Sequence, residues 1–164
     1  MTPDTKAIAG EAGWDNYILE GTVAVVPRKG AASGAAGLLF RVSEPGDGLD
    51  DMRGYGVTCD TDKKLVLSKF TGGARTPLKT FDLATLKTET RLGEWSMIRV
   101  AVTGPRIRVW CNRMHPSADP DRGLRIDYTD ENDPLLTGAV GVCARGVHTM
   151  NDNVVVLPAG ERGA

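Results

Sequence analysis

The chain has 164 residues, 41% of them hydrophobic and 25% charged, and its net charge is -1. This length fits one domain with a sizeable core. The Lys and Arg residues are scattered, which argues against nucleic acid as the main partner, because phosphate binding needs a concentrated basic patch. No run approaches the roughly 18 apolar residues of a membrane helix, and the first residues show no apolar core of a secretion signal.

In chain order, short runs of alternating apolar residues are separated by Gly, Pro, Asp and Asn, a pattern typical of strands and turns. The segment 75–83 is predicted to be an edge strand, since Pro77 cannot sit in a central ladder. The turn "TGP" joins two strands into a hairpin. The remaining predicted strands cover 17–26, 36–43, 54–59, 64–70, 97–103, 106–111, 124–129, 138–145 and 148–157.

About ten alternating strands without crossover helices predict an all-β fold of two packed antiparallel sheets, with a closed barrel as the alternative. We expect one sandwich domain over 14–158, an N-terminal extension over 1–13 and a C-terminal tail over 159–164. Two long loops, 43–53 and 113–123, are rich in Pro, Gly and Asp, and long loops in compact domains are often functional.

One predicted strand, in "AGLLFRVSE", carries a cationic side chain among apolar ones. Strict alternation directs Leu38, Phe40 and Val42 to the core and Arg41 to the outer face of its sheet. The same count places Glu20 on the outer face of the first long strand. We therefore expect Glu20 and Arg41 to rise from one water-facing sheet.

The order of several motifs resembles the concanavalin A-like lectin/glucanase jelly rolls, nearest to levanase-type fructan-binding modules and 3-keto-glycoside hydrolase-like domains. The chain departs from this pattern at Asn151, where the family has an aromatic residue, and in the longer acidic loop "SEPGDGLDDMR". The resemblance spans about residues 14–157, and the motifs that carry it are "WDNYILEGTV", "AAGLLFRV", "GYGVTC", "EWSMIRVAVTGPRIRVWCN", "IDYT", "TGAVGVCARG" and "NDNVVVLP".

The resemblance implies a carbohydrate ligand on the concave sheet, held by Glu20 and Arg41. A carboxylate accepts hydrogen bonds from vicinal hydroxyls, and a guanidinium donates to two oxygens at once. Tyr55 and Trp110 are the candidate aromatic platforms, with Trp14 behind them. The alternative is a cross-strand ion pair on a solvated sheet.

Acidic residues suggest two further ligand contacts. Asp127 matches a family Asp that joins the sugar site, and a surface Asp beside a turn is the alternative. Lectin-like jelly rolls often hold structural calcium, for which Asp152, Asp50 and Asp51 are candidate ligands; Asp is also a common turn former. Three widely spaced cysteines are expected as small buried hydrophobes: Cys59, Cys111 and Cys143.

Three functions follow. The first is a non-catalytic carbohydrate-binding module. The second is a structural or adhesion protein, such as a virion decoration, tail-fibre or surface-assembly subunit, which binds protein subunits of a larger assembly. The third is a hydrolase of the 3-keto-glycoside type, although the Glu-x-Asp-x-x-Glu pattern of glycosidases with this fold is absent from the sequence. An extracellular or virion-surface location suits the first two.

Overall fold

The computed structural model of the protein describes residues 4–30, 33–86, 95–113 and 123–160. The described residues form strands and one short 3-10 turn, Leu83–Thr85. The strands are β1 Thr5–Ala9, β2 Tyr17–Pro27, β3 Ala35–Glu44, β4 Arg53–Asp60, β5 Lys64–Thr71, β6 Arg75–Asp82, β7 Trp95–Thr103, β8 Arg106–Arg113, β9 Leu124–Thr129, β10 Ala139–Arg145 and β11 Val147–Pro158.

These strands form two antiparallel sheets. The six-stranded sheet has the order β1-β10-β3-β4-β5-β6, and the five-stranded sheet has the order β11-β2-β7-β8-β9. The expected two-sheet sandwich is confirmed, and every strand expected from the sequence is present. As Pro77 required, β6 is an edge strand.

The core lies between the sheets because apolar residues alternate along the strands. In β7, Ile98, Val100 and Val102 are fully buried, as expected from their spacing. Facing side chains from the other sheet include Leu38, Phe40, Val57, Leu65 and Leu67.

The outer face of the six-stranded sheet is also covered. The loop that connects β3 to β4 contributes Leu49 and Met52, which are buried against a second apolar cluster. Its strand members are Leu39, Val42, Phe70 and Cys143, with Ile8 packed against them. The central strands of this sheet are therefore buried on both faces, as the patterns of β3, β4 and β5 show.

The N-terminal boundary expected from the sequence is wrong. Residues Thr5–Ala9 are not an extension; they form β1 and pair with β10 at the edge of the six-stranded sheet. Their alternation was missed because the strand is short and only half buried. Most of the expected functional loop 113–123 lies outside the described residues.

The three cysteines are confirmed as buried free thiols. Cys59 and Cys111 belong to the core between the sheets, and Cys143 belongs to the second cluster. Within the described ranges, no helix has the length and apolarity needed to cross a bilayer.

Candidate functional site

Arg41 lies at a bulge in β3, and this bulge overturns its expected orientation. The register of β3 shifts between Leu39 and Val42 against β10 and between Phe40 and Glu44 against β4, and Arg41 has a φ of 49°. A residue in this left-handed region breaks the two-residue alternation. Val42 consequently joins Leu39 on the outer face, and Arg41 is only 1% exposed rather than water-facing.

The guanidinium of Arg41 binds backbone carbonyls from three separate segments. Its Nε and Nη2 donate to the carbonyl oxygen of Asp15 at 3.3 and 3.1 Å, and its Nη1 donates to those of Gly104 and, at 3.0 Å, Leu135. Its backbone N–H donates to the hydroxyl of Tyr17 at 2.8 Å. Burial lowers the pKa of Arg41. Arg41 thus joins the segment before β2, the β7–β8 turn and the β9–β10 loop.

Tyr55 is part of a buried polar network beside Arg41. Its hydroxyl donates to Asp130 at 2.6 Å and accepts from the backbone N–H of Leu135 at 3.0 Å. Lys69 donates to Asp130 at 2.7 Å and to the carbonyls of Asn132 and Asp133. Burial raises the pKa of Tyr55, and so does its hydrogen bond to Asp130.

This network anchors the β9–β10 loop rather than offering an open surface. Tyr55 is 1% exposed and its ring stacks on Phe40 in the core, so the expectation that it forms an exposed sugar platform is wrong. Burial alone would raise the pKa of Asp130, but hydrogen bonds from Lys69 and Tyr55 outweigh it and hold that pKa below its usual range.

Glu20 lies on the outer face of the five-stranded sheet, as its alternation predicts. Its partner is not Arg41, which belongs to the other sheet, but Arg99, directly opposite it on β7. Nε of Arg99 donates to Oε1 of Glu20 at 2.8 Å, and both side chains are 15% exposed. The expected Glu20–Arg41 surface is therefore wrong, and a Glu20–Arg99 pair takes its place.

Trp110 lies beside Arg99 in the register of β7 and β8. Glu20, Arg99 and Trp110 therefore form a row across β2, β7 and β8. Trp110 lies on the outer face but is only 6% exposed. The guanidinium carbon of Arg108 sits 5.3 Å from the centroid of its ring, a cation–π contact. Trp110 is therefore not the open platform expected from the sequence, because its side chain is buried.

Asp127 is exposed on the outer face of β9, as expected, and opposes Arg108 in the register. Arg106 donates two hydrogen bonds to Asp127, from Nε to Oδ1 at 2.9 Å and from Nη2 to Oδ2 at 2.6 Å. This guanidinium holds the pKa of Asp127 below its usual range. Three of the five expected ligand residues, Glu20, Trp110 and Asp127, thus share one face.

The expected calcium ligands do not come together. Asp50 pairs with Arg145, and Asp51 accepts from the backbone N–H of Gly48 within the β3–β4 loop. Asp152 belongs to β11 of the other sheet. Among residues that the structure describes, no group of three or more His, Cys, Asp or Glu side chains is placed to hold a metal ion.

The arginines of this outer face were the residues that sequence reasoning left out. Alternation alone places Arg99 and Arg108 outward on β7 and β8. The row that they form with Glu20 depends on the pairing of β2 with β7, which are far apart in sequence. We call the set Glu20, Arg99, Arg108, Trp110 and Asp127 the outer-face cluster.

Comparisons with known proteins agree with this architecture. The model of the 3-keto-alpha-glucoside-1,2-lyase-like domain matches residues 1–135. No curated protein sequence matches the chain.

Among solved structures, the carbohydrate-binding module CBM66 from Bacillus subtilis superposes with a TM-score of 0.71 at 18% identity, covering 96% of this chain and 83% of that one. Sheep galectin-11, in complex with glycerol, has a TM-score of 0.58 at 12% identity, covering 96% of this chain and 99% of that one. The fructosyltransferase from A. japonicus has a TM-score of 0.60 at 12% identity; the match covers 99% of this chain but 25% of that enzyme. At these identities the likeness establishes the jelly-roll fold.

Proposed function

Because this chain belongs to the family of 3-keto-alpha-glucoside-1,2-lyase-like domains, we propose that it is a carbohydrate-binding domain whose ligand lies on the outer-face cluster of the five-stranded sheet. The observation that supports this most directly is the row of Glu20, Arg99 and Trp110 across three neighbouring strands. The structural likeness to a carbohydrate-binding module and to galectin-11 supports the same class of ligand.

The chemistry of the cluster suits sugar hydroxyls. Oε1 of Glu20 accepts from Nε of Arg99, and that ion pair holds both groups in a defined orientation. Carboxylates accept from hydroxyls and guanidinium groups donate to them, so vicinal hydroxyls can bridge such a pair. Arg108 lies over Trp110 and has no carboxylate ion-pair partner within the described ranges. Its N–H groups therefore supply further donors beside the row.

Calorimetric titration with a panel of mono- and oligosaccharides tests the proposal. Glu20→Gln keeps the shape of the side chain but removes its charge, so it is expected to weaken binding about tenfold, the loss of one charge-assisted hydrogen bond. Asp62→Asn is the matched control, since Asp62 is an exposed acidic residue in the β4–β5 turn of the other sheet. Equal affinity of wild type, Glu20→Gln and Asp62→Asn for every bound sugar would exclude this face as the ligand site.

Family membership favours a second candidate, elimination on a 3-keto-α-glucoside. The carbonyl at C3 makes the C2 hydrogen acidic. A base takes that proton, the C–H electrons form a double bond between C1 and C2, and the glycosidic oxygen leaves and is protonated. Release of p-nitrophenol from the corresponding 3-keto-α-glucoside, measured above the rate in buffer, tests this activity. A rate equal to that in buffer would argue against it.

The assembly function rests on a separate feature, the long strand β11. Within the described part of the chain its only strand neighbour is β2, and it exposes Met150, Val154 and Val155 by 41–46%. An apolar edge strand is a template for pairing with another strand. If β11 joins copies of this chain, light scattering will give a mass above that of the monomer, and Val155→Lys will restore the monomer. A monomer at all accessible concentrations would count against self-assembly.

A further inference from the structure

A cavity of about 260 Å³ lies at the end of the sandwich where β2 begins and β11 ends, and none of its lining residues belongs to the outer-face cluster. One wall is Trp14, Asp15, Asn16 and Tyr17, and the other is Val156–Pro158. The lining residues are therefore of two kinds: apolar residues with aromatic or aliphatic side chains, and polar residues with a carboxylate or an amide.

The aromatic wall is held rigidly. Gly10 packs so closely on the ring of Trp14 that a Cβ at this position would lie 2.4 Å from Cζ3. The ring also meets Tyr17 edge-on, with centroids 6.4 Å apart. The backbone carbonyl of Trp14 accepts from Gly138 at 2.9 Å. The indole thus has a fixed orientation before any ligand arrives.

The polar wall is equally fixed by its backbone. Arg41 holds the carbonyl of Asp15 through two hydrogen bonds, and Oδ1 of Asn16 accepts from the backbone N–H of Gly104 at 2.8 Å. Oδ1 of Asp15 accepts from the backbone N–H of Asn16. Oδ2 of Asp15 and Nδ2 of Asn16 make no hydrogen bond with any residue that the structure describes. One acceptor and one donor therefore remain for a ligand.

We propose that this cavity is a second saccharide site, separate from the outer-face cluster, which takes one neutral sugar ring. A sugar ring has an apolar C–H face, suited to Trp14 and Leu157, and a rim of hydroxyls, suited to Asp15 and Asn16. Pockets for drug-sized ligands measure about 300–1,000 Å³, so this smaller cavity fits a single ring rather than an oligosaccharide. The carboxylate of Asp15 disfavours acidic sugars.

The site also explains why a buried arginine belongs in β3. The guanidinium of Arg41 fixes the backbone carbonyl of Asp15 between Trp14 and Asn16, and the backbone N–H of Arg41 donates to the hydroxyl of Tyr17. Arg41 is a positioning residue for the cavity rather than a sugar ligand.

NMR titration of the ¹⁵N-labelled protein with glucose, galactose, mannose and fructose tests the proposal. We expect the indole N–H of Trp14 and the side-chain amide of Asn16 to shift saturably with at least one sugar, with a dissociation constant on the order of 1 mM. Asp15→Asn is expected to weaken this about tenfold, and Leu157→Trp, which fills the cavity, to abolish it. Asp62→Asn is expected to change nothing.

The same spectra separate this inference from the proposed function, because the indole N–H of Trp110 reports the outer-face cluster. Saturable shifts at Trp14 support the cavity site whether or not Trp110 responds. The absence of a saturable shift at Trp14 with all four sugars overturns it, even if Trp110 responds. The cavity site is also overturned if the sugar concentration at the midpoint of the Trp14 titration is the same in wild type, Asp15→Asn and Leu157→Trp.

Discussion

Replacing Arg41 with alanine tests whether its side chain acts as a clamp, that is, whether it stabilises the fold by hydrogen bonding to three separate backbone segments. The substitution leaves the carbonyl oxygens of Asp15, Gly104 and Leu135 without their guanidinium donor. A buried polar group without a partner costs about 1–3 kcal/mol. Part of this is offset, because Arg41 carries a buried charge whose desolvation already lowers its pKa. The net loss of unfolding free energy is expected to be about 2–4 kcal/mol, against about 0.5 kcal/mol for a surface arginine.

Urea unfolding followed by fluorescence measures this difference. For a chain of this size the loss corresponds to a fall of about 5–15 °C in the melting temperature. Arg53→Ala is the control, because Arg53 pairs with the exposed Asp133 on the same β9–β10 loop and such pairs contribute about 0–1 kcal/mol. If Arg41→Ala and Arg53→Ala shift the urea midpoint equally, the clamp does not exist.

A further variant isolates the backbone conformation of Arg41. Its φ of 49° is one that glycine adopts freely and that other residues adopt at a cost of roughly 1–2 kcal/mol. Arg41→Gly is therefore expected to be about 1 kcal/mol more stable than Arg41→Ala, although both lack the guanidinium. The opposite order would contradict the bulge.

Other predictions concern the polar network and the close approach of two strands. The folded-state pKa of Asp130 is depressed, so its contribution to stability is present above the usual Asp pKa of about 3.9 and is lost as pH falls through the lower folded value. Asp130→Asn should therefore have a lower free energy of unfolding than wild type at pH 7. In urea titrations the difference between the two free energies should narrow below about pH 4. Lys69→Met, which leaves that carboxylate without its ammonium partner, is expected to cost about 3–5 kcal/mol at pH 7 by the same assay, and a loss below 1 kcal/mol would refute the pairing. Gly37→Ala places a Cβ 1.9 Å from the carbonyl oxygen of Val57 and should cost about 2–3 kcal/mol. Gly13→Ala meets nothing within 4 Å, so equal thermal midpoints for the two glycine variants would show that the strands can separate freely.

Most of the fold could be predicted because it depends on local alternation. In β7 and β8, the residues expected inward are the residues found buried, and the turn between them lies where "TGP" places it. The short β1 was missed because five half-exposed residues carry little periodic signal. Topology depends on long-range pairings, such as β10 with β3, that no local pattern contains.

The site was harder to predict because a single bulge changes a whole strand's assignment. Nothing in the composition of "AGLLFRVSE" specifies a left-handed residue at Arg41. One signal was nevertheless available, since the consecutive apolar residues Leu38, Leu39 and Phe40 before the arginine indicate a strand covered on both faces. Glu20 and Asp127 were placed on the correct face because their strands have one wetted side, but their guanidinium partners required the cross-strand register.

The β3–β4 loop covers the outer face of the central strands of the six-stranded sheet with Leu49 and Met52. The two outer faces of the sandwich therefore differ in how many side chains they can vary. Substitutions, natural or designed, can change surface recognition without unfolding the protein only at positions whose side chains do not pack in the interior. Outward positions of the five-stranded sheet, such as Ile18, Thr22 and Met97, meet that condition. Equivalent positions in β3, β4 and β5 do not, so variation there would alter folding before it altered recognition.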